Sequence, residues 1–78
     1  MTHEFKIAPM YFEVVKNKIK TFGLRFNDRN YKENDCIVIR EYEDGEYTGR
    51  ERRGFILYIL YNHEGLKEGW VLMAIEWM

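Results

Sequence analysis

Two basic side chains and an Asn-Asp-Arg turn are clustered in one short segment, and these residue types are suited to binding an anion. Lys20 and Arg25 lie on either side of a β-prone stretch that begins at Thr21, and the turn at residues 27–29 follows directly. An arginine presents a planar fork that matches phosphate oxygens, and a lysine supplies a compact positive charge. The segment therefore predicts a site that holds an anion such as a phosphate group.

The distribution of charge supports the same interpretation. The 78 residues carry a net charge of −1, so the chain as a whole has no general attraction to nucleic acid. Residues 16–32, however, contain six basic residues and one acid, whereas residues 33–53 contain four basic residues and seven acids. A local cluster of charge acts on a ligand within about 10 Å, whatever the net charge is. For any single lysine, the alternative is that it only solvates a helix end or a loop.

The turn offers a separate role for each of its residues. Asn27 is expected to shape the turn through a hydrogen bond to the nearby backbone. Asp28 is expected to pair with Arg25 or Arg29 and hold a guanidinium in place, and Arg29 is the better candidate for direct contact with a ligand. Tyr31 either stacks on a base of single-stranded nucleic acid or packs beneath the loop.

The first predicted strand adds another candidate for the site. His3 and Lys6 both lie on it, and successive side chains of a strand alternate between its two faces. These two residues therefore face opposite sides, so at most one of them reaches the ligand. We assign Lys6 to the site and expect His3 to be an ordinary surface residue.

The pattern of apolar residues predicts a single α+β domain over residues 1–78 that is mainly β. A helix begins at Pro9 and ends near Asn17, because proline suits the first helical turn and apolar residues then recur at intervals of three and four. Five strands are predicted around this helix, at residues 3–7, 21–26, 36–42, 55–61 and 70–77.

Alternation within the strands predicts which side chains are buried. In the second strand, residues 22, 24 and 26 are Phe, Leu and Phe, and we assign their face to the core. Arg25 must then point away from the core. In the last strand, the residues expected to be buried are Val71, Met73 and Ile75.

The composition excludes several other kinds of chemistry. The chain has no serine, and its single cysteine, Cys36, lies in an apolar run where we expect it to be buried and structural. A lone cysteine cannot form an internal disulfide, which indicates a reducing, cytoplasmic compartment. His3, Cys36 and His63 do not match any metal-ligand spacing, so we predict no metal, cofactor or catalytic residue. No apolar run reaches the roughly 18 residues of a membrane span, and no membrane partner is expected.

Several separated motifs resemble, in the same order, those of a family of small phage and bacterial proteins. They are His3-Glu4-Phe5-Lys6-Ile7, Tyr11-Phe12-Glu13, Lys20-Thr21-Phe22, Leu24-Arg25, Asn27-Asp28-Arg29 and Tyr47-Thr48-Gly49-Arg50. Through them the chain resembles the DUF3850 family from His3 to about Ile75. That family is similar to the ASCH domains of the PUA-like group. The resemblance implies a small β-barrel-like fold with a cleft for RNA or a nucleotide, in the cytoplasm of a bacterium or of a phage-infected host.

The match to the ASCH signature, Gly-x-Lys-x-x-Glu-x-Arg, is partial. Lys20 and Arg25 match it, whereas Lys18 stands at the glycine position and Gly23 at the glutamate position. Some ASCH-like proteins are amidohydrolases of acylated cytidine, and in them the lysine works with a threonine at the place of Gly23. Thr21 lies on the same face but not at that position, so the resemblance does not carry this activity over.

The first of three possible functions is an RNA- or nucleotide-binding module that uses a basic cleft between the N-terminal helix and the following strand. Its predicted binding residues are Lys6, Lys20, Thr21, Arg25, Asn27, Asp28, Arg29 and Tyr31.

The two alternatives belong to other classes. One is a protein–protein interaction module that uses an acidic, solvated hairpin tip formed by residues 41–46, together with exposed aromatic side chains at Tyr42, Tyr47 and Trp77. The other is an amidohydrolase acting on acylated cytidine. It would need a second polar group across the cleft from the lysine of the motif, with Glu64 and Glu68 as candidates.

Overall fold

A computed structural model describes residues 1–78 as one five-stranded sheet, curled into a half barrel, with one short helix. The elements are β1 (Thr2–Ile7), α1 (Pro9–Lys16), β2 (Phe22–Phe26), β3 (Cys36–Glu43), β4 (Glu46–Leu60) and β5 (Trp70–Trp77). The predicted fold class, α+β and mainly β with five strands and an N-terminal helix, is confirmed. At eight residues, the helix is too short to cross a lipid bilayer.

The strand order leaves the half barrel open on one side. The order is β1-β3-β4-β5-β2, with β1 parallel to β3 and every other pair antiparallel. The edge strands β1 and β2 therefore stand at opposite ends of the sheet without pairing to each other. Because the sheet is curled, these two edges approach one another across its concave side, and α1 lies at the same opening.

The core fills the concave side of the sheet. The three inner strands contribute buried apolar residues, α1 adds two more and the loop after β2 adds one. The set is Phe12, Val15, Tyr31, Ile37, Ile39, Ile56, Ile59, Val71, Met73, Ile75 and Trp77. In β5, alternation predicts the buried residues correctly. Trp77 is also buried, contrary to expectation, and its indole Nε1–H donates to the carbonyl of Lys20 at 2.9 Å.

The orientation predicted for β2 is wrong. Phe22, Leu24 and Phe26 are 52%, 55% and 52% exposed, so their face is the outer one. A Cβ built on Gly23 would lie 3.5 Å from Cε of Met73, so the face of residues 23 and 25 is the inner one. Alternation shows which residues share a face, but the pairing with β5 decides which face meets the core.

Two other boundaries differ from expectation. β4 begins at Glu46, well before residue 55, because Asp44 and Gly45 adopt positive φ angles of 51° and 84° and form a tight turn after β3. The first half of β4 then pairs with β3, although Tyr47 is its one large apolar residue. Cys36 is exposed at the start of β3, and the preceding Asp35 occupies the buried position instead.

Two polar side chains that were expected at the surface are buried. His3 is 4% exposed, and its Nε2 lies 2.9 Å from Oδ2 of Asp35, a hydrogen bond that lowers the pKa of the Asp35 carboxyl. Glu41 is also 4% exposed and accepts a hydrogen bond from the hydroxyl of Thr48 at 2.7 Å. The residues expected to form an acidic, solvated hairpin tip are thus not all at the surface, because Glu41 faces inward from β3.

Candidate functional site

The opening between β1 and β2 forms a groove with an apolar floor. Its cavity has a volume of about 220 Å³ and reaches the core residues Ile37, Ile39, Met73, Ile75 and Trp77. α1 contributes Tyr11 and Val15, and Phe5 and Phe22 line it from the two edge strands. Gly23 has no side chain to fill this space, so the floor stays open between the edges.

Three cations from different elements line the same groove. Lys6 comes from β1, Lys20 from the segment between α1 and β2, and Arg25 from β2. Lys20 Nζ lies 5.7 Å from the ring centroid of Phe22. Two segments that are adjacent in the chain and a third that is distant therefore bring three of the predicted site residues to one place.

A second cavity, of about 380 Å³, adjoins the first and shares Phe5, Lys6 and Arg25 with it. Its other lining residues are Glu4, Arg29, Arg40 and Tyr47. We call the two cavities together the basic groove, and the part surrounded by Lys6, Arg25, Arg29 and Arg40 its cationic mouth.

Aromatic rings hold the guanidinium groups of the mouth in place. The Cζ atoms of Arg25 and Arg29 lie 4.0 Å and 4.4 Å from the ring centroid of Phe5. Arg29 is fixed further, because its Nη1 donates to the backbone carbonyl of Glu4 at 2.8 Å. On the other side, Arg40 Cζ lies 4.2 Å from the ring centroid of Tyr47. Such cation–π contacts orient the cations without neutralising their charge.

The charges of the groove are almost without acidic partners. Lys6, Lys20, Arg25 and Arg29 take part in none of the ion pairs of the structure. Glu4 is the single acid in the lining, and it lies 3.5 Å from Arg40. The groove therefore presents a concentrated positive field to solvent, and an anion can supply the missing counter-charges.

Arg50, by contrast, is a cation whose charge is neutralised by carboxylates of the protein itself. Its guanidinium contacts Oε1 of Glu13 at 2.7 Å and Oε1 of Glu41 at 3.7 Å. The hydrogen bond from Arg50 lowers the pKa of the Glu13 carboxyl, and the same bond raises the pKa of Arg50. Arg50 thus links α1 to the sheet through two carboxylates, whereas Arg25 and Arg29 of the mouth are not paired with any carboxylate.

Several residues predicted for the site lie elsewhere. Asn27 shapes the turn as expected, since its Oδ1 accepts a hydrogen bond from the backbone N–H of Tyr31 at 2.9 Å. Tyr31 is 5% exposed and packs edge-on against His3, so it is not a stacking surface for a base. Asp28 is exposed but pairs with neither Arg25 nor Arg29, and Thr21 lines a separate depression beside Leu57.

The sequence does not single out two of the residues that shape the mouth. Arg40 reaches it because the parallel register of β1 and β3 pairs residue 40 with Lys6. No local sequence pattern indicates that pairing. Phe5 does carry a signal, because it is a large aromatic residue next to Lys6, but its role depends on two arginines that are distant in the sequence.

A larger cavity, of about 470 Å³, lies on the other side of the loop that follows β2. It is lined by Asn27, Tyr31, Lys32, Glu33, Ile59, Tyr61, Asn62, Gly69, Trp70 and Val71. Its one cation, Lys32, is accompanied by the acid Glu33. This larger cavity therefore lacks the cluster of unpaired cations that lines the basic groove.

The two candidate acids of the amidohydrolase alternative do not line the groove. Glu64 and Glu68 lie in the loop between β4 and β5 and contribute to neither of its two cavities. The lining thus places neither candidate carboxylate beside Lys20.

Comparisons with known proteins agree with the resemblance seen in the sequence. The profile of the family described as "Domain of unknown function (DUF3850)" matches residues 2–75. The chain is also similar to the "Uncharacterized 12.9 kDa protein in GpA 3'region" of Escherichia phage P2, with 37% identity over 49 residues. These residues are 63% of this chain and 45% of the phage protein, so the matched part spans less than half the length of that relative.

Proposed function

The chain belongs to the DUF3850 family, and from this premise we propose that its basic groove binds RNA or a nucleotide. The observation that carries the proposal is the set of four cations that line one groove without an acidic partner. Holding four like charges close together disfavours the folded protein unless something offsets the repulsion. A phosphate group offsets it through charge-assisted hydrogen bonds.

The two cavities of the groove suit the two halves of a nucleotide. The cationic mouth offers the planar forks of Arg25 and Arg29, which match phosphate oxygens in pairs. The adjoining cavity offers apolar side chains such as Met73 and the aromatic rings of Tyr11 and Phe22. Stacking of a base on an aromatic side chain is worth about 1–3 kcal/mol, and it does not depend strongly on the identity of the base.

The size of the groove favours a small ligand or the end of a strand. Its cavities of about 220 and 380 Å³ lie at or below the lower end of the roughly 300–1,000 Å³ that is usual for small-molecule pockets. A duplex would need a long basic surface, and a chain with a net charge of −1 does not provide one. The groove therefore fits one nucleotide or a few nucleotides of single-stranded RNA.

The test is a titration of the isotope-labelled protein with a nucleoside triphosphate and with a short single-stranded RNA, followed by amide NMR. We expect chemical-shift changes at residues 4–7, 20–29 and 40. With at most four phosphate-facing cations, the log–log slope of affinity against salt should be no steeper than about −3 for RNA. A steeper slope, or shifts spread over the whole surface, would contradict a groove-limited site.

Matched variants locate the site. Lys20→Ala and Arg25→Ala each remove one groove cation, while Lys67→Ala and Arg53→Ala remove the same side chains from exposed positions outside the groove. We expect the first two to weaken binding by about tenfold each and the controls to leave it unchanged. Equal losses in both sets would mean that binding is non-specific.

A further inference from the structure

The four cations of the mouth are held in two pairs, each against its own aromatic support. Phe5 supports the two arginines of one pair. In the other pair, Lys6 Nζ lies 4.5 Å from the ring centroid of Tyr42, and Arg40 Cζ lies 4.2 Å from that of Tyr47. The two tyrosine rings pack edge to face, with their centroids 5.2 Å apart. The fold therefore positions the charges in advance, which reduces the entropy lost when a ligand binds them.

The mouth carries more positive charge than one phosphodiester can balance. Four cations and one acid, Glu4, give its lining a net charge of +3. A phosphodiester inside a nucleic-acid chain carries a single negative charge. A terminal phosphate carries more, and the three phosphates of a triphosphate together carry about −4 at neutral pH. A triphosphate therefore matches the charge of the mouth, whereas an internal phosphodiester leaves most of it unbalanced.

The volume of the mouth limits how many separate phosphates can share it. Its cavity of about 380 Å³ is near the lower end of the range for small-molecule pockets. Consecutive phosphates of RNA are separated by a whole ribose, so an internal stretch of RNA brings few of them into this space. The phosphates of a triphosphate are joined through single oxygen atoms, so all of its charge enters the same space. A compact polyphosphate thus fits both the charge and the volume.

We propose that the basic groove selects a nucleotide with a 5′-triphosphate, either free or at the 5′ end of an RNA. This inference rests on the proposed function, because it takes the groove as the nucleotide site and adds which phosphate group the site prefers. The triphosphate lies in the cationic mouth. The base lies in the adjoining apolar cavity, beside Tyr11 and Phe22.

The acidic groups that usually hold magnesium beside a triphosphate are scarce in the mouth. Magnesium sites of this kind use one or two carboxylates together with the phosphate oxygens. Glu4 is the single carboxylate of the lining, and its Oε1 already lies 3.5 Å from Arg40. The cations of the protein therefore balance the phosphate charge directly. We expect binding to be tight in the presence of a chelator and weaker when magnesium competes for the same oxygens.

The test is calorimetric titration of the whole chain with adenosine, AMP, ADP and ATP, first with EDTA and then with magnesium chloride. We expect affinity to rise with each phosphate, so that ATP binds at least about 100-fold more tightly than AMP. Equal affinities for AMP and ATP would overturn the triphosphate preference and leave the proposed function standing. No binding of any nucleotide or RNA would overturn both. Inorganic triphosphate that binds as tightly as ATP would overturn the assignment to a nucleotide.

One short RNA prepared with three different 5′ ends separates the two sources of the triphosphate. Its 5′ group is a hydroxyl, a monophosphate or a triphosphate. A preference of about tenfold or more for the triphosphate end over the hydroxyl end identifies RNA ends as ligands. Tight binding of ATP without that preference identifies the free nucleotide. An RNA that binds more tightly than ATP whatever its 5′ group would overturn the proposal.

Two variants test whether the mouth contacts the phosphate chain. Lys6→Ala and Arg40→Ala each remove one cation of the pair held by the tyrosines. Each should lower the affinity for ATP by about tenfold and change the affinity for AMP less. Arg53→Ala removes an exposed arginine that lines neither cavity and should change neither affinity. Circular dichroism and a cooperative melt verify that each variant is folded. Equal losses for AMP and ATP in both mouth variants would overturn the proposal.

Discussion

The two faces of β2 carry opposite chemistry on five consecutive residues. The inner face has Gly23 and Arg25, one without a side chain and the other a cation that lies over the ring of Phe5. The outer face has Phe22, Leu24 and Phe26, which are all more than half exposed. An edge strand can present two chemically different faces in this way because its side chains alternate.

The change expected to damage both faces most is Met73→Ala. Met73 is 1% exposed and lies beneath Gly23, so its truncation leaves a cavity under β2. We expect the free energy of unfolding to fall by about 2–5 kcal/mol, a large share of the stability of a small domain. Chemical denaturation measures this change. Met10→Ala, at an exposed position, should change stability by less than about 0.5 kcal/mol.

The change expected to affect the inner face of β2 alone is Arg25→Glu. It removes one guanidinium from the mouth and introduces repulsion toward phosphate, so nucleotide affinity should fall by about 100-fold or more. Thermal stability should change little, because the side chain of Arg25 is exposed to solvent. Calorimetric titration and a thermal melt on the same preparation measure both quantities. Loss of the fold in this variant would mean that the fall in affinity is not local to the groove.

The loop that carries Arg29 makes the inner face sensitive to acid. Asp35 anchors this loop through His3, whose hydrogen bond lowers the pKa of the carboxyl below its usual value of 3.8. A group with a lowered folded-state pKa contributes stability that is present above the unfolded value and is lost as pH falls through the folded value. We therefore expect the melting temperature to fall below about pH 3.8.

The matched variant for this acid sensitivity is Asp35→Asn, which keeps the size of the side chain and removes its charge. It should lower the stability at neutral pH by about 1–3 kcal/mol. Its melting temperature should depend less on pH in the acid range than that of the parent chain. An unchanged acid profile would mean that other carboxylates dominate the loss.

The smallest effect is expected for Gly23→Ala. The added Cβ would meet Cε of Met73 at 3.5 Å and Cδ1 of Ile75 at 3.6 Å, which are ordinary contact distances. Stability should change by less than about 1 kcal/mol in thermal melts, since alanine also restricts the unfolded chain. Gly23→Leu, by contrast, would fill the groove and should abolish nucleotide binding while leaving the outer face as it is.

Local patterns in the sequence were sufficient to predict most of the helix and strand positions, but not which strands pair with one another. The bounds of α1 and β5 and the burial of Val71, Met73 and Ile75 follow from period and punctuation, because each depends on residues a few positions apart. The same reasoning missed the first half of β4. That segment is mostly polar on both faces. It is stabilised by its hydrogen bonds to β3 and not by burial of apolar side chains.

The interior polar contacts were not predictable for a related reason. His3 meets Asp35 across 32 positions of sequence, and their hydrogen bond is what makes burial of both acceptable. Tyr31 packs against the same histidine, and its ring is therefore not available to a ligand. The alternation of side chains along a strand cannot reveal this contact.

The sequence by itself determined that this chain forms a small, mainly β domain of five strands and one helix, and that Lys6, Lys20, Arg25 and Arg29 are candidates for an anion site. Only the tertiary structure decided that Arg40 joins them, that Phe5 supports two of them, and that the Phe-Leu-Phe face of β2 lies outside. The physical reason is the distance along the chain over which each effect acts. Strand and helix periods act over a few residues, whereas the choice of face and of charge partner depends on strands brought together from distant parts of the chain.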